Sequence, residues 1–368
     1  MRILFINAWI PPSDAPTSRL LGDVGEALAA AGHEVDFLGD TGSYRARTNR
    51  NVFQRGFGEI SRLWKLWREG KRRERPDLIV ALSSPPLLLP IAVKIAQHHR
   101  SPLIHWAMDV YPEIAVQLGV LGERSPMTAL SGRLMKFGYD RCERLVALDE
   151  AMEEFLAKKS DTQIEISQPW ILPQFLEHES NPQPQKMDED PIWLYSGNLG
   201  RAHEWKVLLK VQQLLESANA GIRLVIQGGG AGVPKAEQLA EDLGLQKVEF
   251  RPFAADDATI ASLLNANVLV ATQLPETLGL LWPSKLSLMR HLDRPLLWIG
   301  PENTVIDELQ ASGRSGVFSA DQEREIADWL IQTHSLQQSV GFDRESAEAL
   351  RNDSLAKWVE LAETIHQK

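Results

Sequence analysis

Continuous apolar runs alternate along the chain with stretches whose apolar residues recur every three or four positions. RILFINA is such a run, and it ends in the proline-rich loop WIPPSDAPTS. RLLGDVGEALAAAG then carries helical spacing, and HEVDFLG reads as the next strand. Strand, loop, helix, strand is the opening of a parallel, doubly wound sheet. DLIVALS, PLIHWAM and RLVALD continue it as buried strands separated by helical segments.

The stretch from Leu176 to Pro191, LEHESNPQPQKMDEDP, is polar and proline-rich and reads as a linker. A second series follows it: IWLYSGNLG, IRLVIQGGG, KVEFRPF, VLVATQL and PLLWIG. The expected fold is α/β, with two Rossmann-like domains whose parallel sheets face each other across a cleft. Domains are expected over 1–180 and 191–345, with a C-terminal helix over 346–368 that packs back on the first. Open α/β sheets bind ligands at the carboxyl ends of their strands, so both halves should offer loops to that cleft.

Composition narrows the class. The chain has 368 residues and is 43% hydrophobic, enough for two cores. A single cysteine, Cys142, excludes an intrachain disulfide and fits a reducing compartment. The N-terminal run has the wrong flanks for a signal peptide, and PPLLLPIAVKIA is too short to span a bilayer. A cytoplasmic protein, soluble or peripheral, is expected.

Charge is uneven. The formal net charge is −10, yet eleven Lys or Arg lie between Arg45 and Arg75, opposed only by Glu59, Glu69 and Glu74. Such asymmetry suggests a local anionic partner, not a nucleic acid. Within it, Phe53, Phe57, Ile60, Trp64 and Trp67 form one helical stripe flanked by Arg62, Lys65, Arg68, Lys71, Arg72 and Arg73. A basic amphipathic helix with Trp on its apolar face suits an anionic membrane surface. The other reading is a stripe that is core beneath solvated arginines.

Four stretches carry candidate chemistry. In VIQGGGAG, Gly228, Gly229 and Gly230 follow a strand and would let backbone approach a nucleotide, or would make a tight turn. In LYSGNLGRAHEWK, two glycines bracket Asn198, and Arg201, His203 and Lys206 fall at or just before a helix start. That is a diphosphate cradle or an ordinary turn. In TLGLLWPSKL, Ser284 reads as an N-cap and Lys285 as a first-turn residue. A lysine at a helix's positive end is favourable only beside an anion. In HWAMDVYPE, Asp109 and Glu113 lie just past a strand end, where a carboxylate could orient or deprotonate a sugar hydroxyl, while His105 reads as core. No metal-ligand spacing, GxSxG elbow or GxxxxGK[ST] loop is present.

In order, PPSDAPTSRLLGDVGEALAAAGHEV, SSPPLLLPIAVKIA, MDVYPEIAVQLGVL, LYSGNLGRAHEW and WPSKL resemble blocks of the family 4 glycosyltransferases of the GT-B fold. The likeness is to the bacterial branch that builds O-antigen, colanic-acid and related exopolysaccharides. It implies retaining transfer of a sugar from a nucleotide diphosphate sugar, a UDP-sugar, to a polyprenyl-diphosphate-linked saccharide at the inner membrane face. It also implies no metal or other cofactor, because basic side chains and helix N-termini hold the leaving diphosphate. By position, Asn198, Arg201, His203, Ser284 and Lys285 would hold diphosphate, and Asp109 and Glu113 would face the acceptor or the sugar. Gly228 to Gly230, with Arg251 and Phe253, would approach the base.

The chain departs from this pattern in several places, among them DVYPE for DLWPE and Glu204 for the glycine of AHG. Where the family has two glutamates, the second binding ribose, this sequence has Leu280 and Leu288. Two rivals therefore stand beside the active transferase: a GT-B-fold binding or partner subunit without catalysis, and a sugar-nucleotide epimerase of the same fold.

Overall fold

The computed structural model describes residues 1–42, 52–176, 190–311, 313–333 and 341–366, with the backbone alone described over 52–57 and at 256 and 257. The linker reading at 176–191 and the arginines at 45, 47, 50 and 55 lie largely outside what is described. The chain forms two compact units. The first comprises Met1–Leu172, Gly279–Trp282 and Leu350–Lys368, and the second Pro173–Leu278 and Pro283–Ala349.

The first unit runs β1 (Arg2–Trp9), α1 (Pro16–Ala30), β2 (Glu34–Asp40), α2 (Val52–Gly70), β3 (Leu78–Ala81) and α3 (Leu88–His99). It continues with β4 (Leu103–Trp106), α4 (Glu113–Gln117), α5 (Pro126–Tyr139), β5 (Arg144–Ala147), α6 (Glu150–Ala157) and β6 (Ile164–Ile166). The sheet is parallel in the order β2-β1-β3-β4-β5-β6. Strand order reverses between β1 and β3, which is where doubly wound sheets place ligands. There the Ala8 amide donates to the Ser84 carbonyl at 2.6 Å.

The second unit runs α7 (Pro173–Leu176), β7 (Ile192–Asn198), α8 (Trp205–Ser217), β8 (Arg223–Gly229), α9 (Val233–Asp242) and β9 (Val248–Arg251). Then come α10 (Asp256–Leu264), β10 (Val268–Thr272), α11 (Leu286–Met289), β11 (Leu296–Ile299), α12 (Thr304–Ala311), β12 (Ser315–Phe318) and α13 (Glu323–Thr333). Its parallel sheet has the order β12-β11-β10-β7-β8-β9, so the reversal falls between β7 and β10. Trp193, Tyr195, Leu208, Ile226, Val270 and Leu297 anchor its core.

The boundary between units falls inside the last helix, α14 (Arg344–His366), whose residues from Leu350 onward group with the first unit. Trp358 packs against Trp106 with tilted rings 4.5 Å apart and donates to Ser167 Oγ at 3.1 Å. The buried Asp23 accepts from Trp170 Nε1 at 2.7 Å and from Arg351 Nε at 2.8 Å, with a second Arg351 nitrogen on its other oxygen. Gly279–Trp282 also belongs here: the Val110 amide donates to the Leu280 carbonyl at 2.8 Å, and Asp109 bridges Leu281.

Candidate functional site

In the second unit, the reversal point gathers the ends of β7, β8 and β10. Gly197 pairs with Gly228 and Asn198 with Gly229 across adjacent strands. Gly228 has φ +147°, and a Cβ there would overlap the Gly197 carbonyl. A Cβ on Gly197 would meet Lys285 Cε at 2.5 Å. The two strands and the lysine stem therefore pack as three layers that only glycine permits.

Lys285 is held between this backbone and an aromatic ring. Its Nζ lies 3.6 Å from the Tyr195 ring centre and has no hydrogen-bond partner although it is shut from solvent. Burial holds its pKa well below the ordinary 10.5. Tyr195 in turn donates its hydroxyl to the Asn198 carbonyl at 3.0 Å, which fixes the turn after β7. A buried, unpaired ammonium is costly, and an incoming anion would offset that cost.

His203 stands beside them. Its Nδ1 lies 2.8 Å from the Thr272 carbonyl, which sets the proton on that nitrogen, and its ring meets Tyr195 edge-on at 5.9 Å. Burial, then the nearby Lys285, pushes its pKa down to about 3. Burial therefore favours the neutral form of His203 in the free protein. Arg201 is exposed on the loop before α8, whose N-cap residue Glu204 makes no side-chain capping bond. Asn198 is exposed too, and its Oδ1 lies where a Cβ of Gly230 would go.

Ser284 is placed differently from the expectation of a capping residue. Ser284 does not cap a helix side chain to backbone: Lys285 is the N-cap residue of α11, and exposed Ser284 offers its carbonyl to Ser287 Oγ at 2.7 Å. Because α11 has only four residues, burial and not a helix dipole explains Lys285. Arg251 is committed to Glu249, at 2.6 and 2.8 Å. Phe253 is half-exposed and covers Gly229, where a Cβ would meet its ring at 2.8 Å. Leu288 is buried.

In the first unit, Ser83 Oγ accepts from the amides of Met108 at 2.9 Å and Asp109 at 3.3 Å, so the SSPP loop braces the DVYPE loop. Desolvation pushes the half-buried Asp109 carboxyl up to about 6. His105 is core, as expected, with Nδ1 2.9 Å from the Ala81 carbonyl. Glu113 is not in a loop but opens α4, where it is ion-paired to Lys159 Nζ at 2.6 Å. Leu280 is buried. Sequence reading missed Tyr195, Thr272 and Ser83, because an aromatic in a strand and a serine in a loop carry no distinguishing signal.

The described side chains of helix α2 divide between packed and exposed positions. Leu66 is buried, and Gly70 packs where a Cβ would meet Ile95 at 2.6 Å. Ile60 and Trp64 face out, while Trp67 is half-buried. Phe53 and Phe57 lie among the residues whose side chains are not described. Arg68 stacks on Trp64 and Lys71 on Trp67, at 4.7 and 4.9 Å. Arg62 and Lys65 both pair with Asp40 at 3.4 Å, Arg62 also lying over Trp9, and Arg73 pairs with Asp36 at 3.3 Å.

Residues 17–168 match the profile of Glycosyltransferase Family 4, and residues 177–281 match that of Glycosyl transferases group 1. The chain carries the two domains of a GT-B glycosyltransferase. The fold is shared with sucrose-phosphate synthase from Thermosynechococcus elongatus (15% identity, 100% of this chain and 96% of that one, TM-score 0.66). It is shared equally with Anabaena HepE in complex with UDP-glucose (14% identity, 100% of both chains, TM-score 0.62). WaaG, a glycosyltransferase involved in lipopolysaccharide biosynthesis, matches at 17% identity over 98% of both chains, with a TM-score of 0.62. No curated protein matches this GT-B chain in sequence. Among its described residues no cluster of His, Cys, Asp or Glu could hold a metal, and no helix is long and apolar enough to cross a membrane.

Proposed function

We propose that this GT-B protein transfers a sugar, with retention at the anomeric carbon, from a UDP-sugar to a polyprenyl-diphosphate-linked saccharide destined for surface polysaccharide. The observation that carries this reading is the Lys285 Nζ, buried, unpartnered and packed against Tyr195 and Gly197 at the sheet's reversal point. The leaving diphosphate would sit there, with Arg201, Asn198 and the uncapped start of α8 adding donors. That a HepE structure holds UDP-glucose supports the choice of donor. Such a cradle needs no metal.

His203 contributes differently. With Nδ1–H given to Thr272, its other nitrogen is an acceptor, suited to a donor hydroxyl rather than to a phosphate oxygen. Asp109 is the candidate to orient or deprotonate the acceptor hydroxyl, and Glu113, neutralised by Lys159, serves as a support. Phe253 and the backbone of Gly228–Gly230 are the proposed approach to the base. The outward Ile60 and Trp64 of α2, with Arg68, Lys71 and Arg72, support peripheral docking on the inner membrane face.

The test is calorimetry with UDP on the wild type and Lys285→Ala. Binding that falls about a hundredfold or more in a folded variant supports the cradle, since a charge-assisted contact and its buried site are lost together. Equal affinity overturns it. A second reading, a binding subunit without turnover, is favoured by one observation: both Leu280 and Leu288, at the expected glutamate positions, are buried apolar residues. UDP binding without sugar transfer to any lipid-linked acceptor would support that reading.

A further inference from the structure

Helix α5 buries one face and presents several large apolar side chains to solvent. Met127 is 64% exposed, Leu130 58% and Leu134 36%, at i, i+3 and i+7, which is one helical face. The packed face holds Ser131, Met135, Gly138 and Tyr139, and Gly138 lies so close that a Cβ would meet Leu89 Cγ at 2.6 Å. Val120, 58% exposed, stands on the turn that leads into this helix. That turn is tied down: the Val120 amide donates to the Ala115 carbonyl at 2.8 Å, Thr128 Oγ1 to the Gly122 carbonyl at 2.8 Å, and Ser125 caps Met127 at 3.2 Å. The apolar stripe is thus displayed on a rigid support.

Its surroundings are mainly cationic, with Glu123 exposed on the preceding turn. Neither α3 nor α5 contains an Asp or Glu, while Lys94 lies over Phe137 at 5.3 Å and Arg141 over the same ring at 3.9 Å. Arg124 and Arg133 are exposed nearby, and Lys136 is balanced by Asp140 at 3.0 Å. Helix α2 packs against α3, and α3 against α5, so the stripe belongs to the same helical layer as Ile60 and Trp64. We infer that α5 is a second membrane anchor. In it Met127, Leu130, Leu134 and Val120 enter the headgroup region of an anionic bilayer, and Arg124, Arg133 and Arg141 meet the lipid phosphates.

The charge pattern favours lipid over a second copy of the chain. A two-fold interface on this face would set the same arginines against themselves, whereas an anionic leaflet complements every one. Apolar residues interleaved with arginines match the headgroup boundary, about 5–10 Å deep, where side chains are apolar at one end and charged at the other. This inference rests on the membrane docking proposed for α2 but adds a contact that can fail separately.

The test is co-sedimentation of the full chain with vesicles of phosphatidylcholine and phosphatidylglycerol, comparing wild type with Met127→Ser/Leu130→Ser/Leu134→Ser. Vesicle partitioning should fall about tenfold or more through loss of apolar insertion, with UDP affinity unchanged. Because Cys142 is the sole cysteine, Leu130→Cys in a Cys142→Ser background can also be labelled with an environment-sensitive dye. Its emission should shift on adding vesicles and be quenched by lipid-borne quenchers. Wild-type partitioning by the triple variant, or a dye that reports water throughout, overturns the proposal and leaves α2 and the donor cradle standing. A lipid-free dimer that the triple variant breaks would also overturn it, making the stripe a protein interface.

Discussion

Lys285 Nζ rests 3.6 Å from the centre of the Tyr195 ring and has no hydrogen-bond partner among the described residues. Burial holds its pKa low in the free protein, and a bound diphosphate would raise it again. Between those two values UDP binding must take up a proton, so affinity should strengthen as pH falls through that window. Calorimetry at one pH in two buffers of different ionisation enthalpy reads the uptake directly; identical heats would refute it.

The same arrangement costs stability. A lysine with a lowered folded pKa binds fewer protons than its unfolded form, so its contribution improves as pH rises toward the ordinary value of 10.5. Lys285→Met keeps the stem and removes the buried charge. It should raise stability at neutral pH by about 1–3 kcal/mol while removing UDP binding, a trade of function against stability. A variant less stable than wild type in urea would show that the ammonium has a partner in the fold.

Asp109 works in the opposite direction. Its carboxyl is pushed from 3.8 up to about 6, so the folded protein holds a proton that the unfolded chain releases. Stability should therefore fall as pH rises through that window, and Asp109→Asn should melt higher than wild type above about pH 6 and equally below about 3.8. If Asp109 is the base, turnover should rise through the same upper value and drop about a hundredfold in the asparagine variant. An unchanged rate would leave the residue as part of the bridge to Leu281.

Asp23 and Arg351 lie 328 positions apart and fasten α14 to α1. Removing the guanidinium leaves a buried carboxylate with Trp170 alone, so Arg351→Met should destabilise the first unit by about 3–5 kcal/mol. Pairing it with Asp23→Asn should recover part of that loss. Denaturant curves of the two single variants and the double give the coupling, and strictly additive effects would mean that the two residues act independently.

The central strands were legible because a strand buried on both faces must be a continuous apolar run, as RILFINA and VLVAT are. The strands missed, β6 and β12, each lie at one edge of their sheet, and are shorter than β2 at the opposite edge of the first sheet. IEI and SGVF are three and four residues long, half-wet, and look like loop. In the site, the glycines and Lys285 could be found by pattern, since backbone packing and a misplaced charge both leave a mark in sequence. The neutral state of His203 and the inward course of Leu280 depend on neighbours far along the chain. So does the return of Gly279–Trp282 to the first unit, which a linear reading of TLGLLWPSKL assigns wholly to the second.

Helix α2 supplies the last prediction. Arg62 and Lys65 are occupied by Asp40, which leaves Arg68, Lys71 and Arg72 beside Trp64 and Trp67 as the cations presented outward, with Arg73 shared with Asp36. Each basic residue at an anionic leaflet contributes about 1 kcal/mol, fading as salt shortens the reach of its charge. Replacing Arg68, Lys71, Arg72 and Arg73 by glutamine should therefore abolish co-sedimentation with anionic vesicles at low salt. None of the four is in the donor cradle, so UDP binding and transfer to a short water-soluble acceptor should persist. Trp64→Ser, which removes the outward ring but no charge, should weaken vesicle binding at every salt concentration. If the quadruple variant pelleted like wild type, α2 would be a solvated helix. The tryptophan on its outer face would then need a protein partner instead of a membrane.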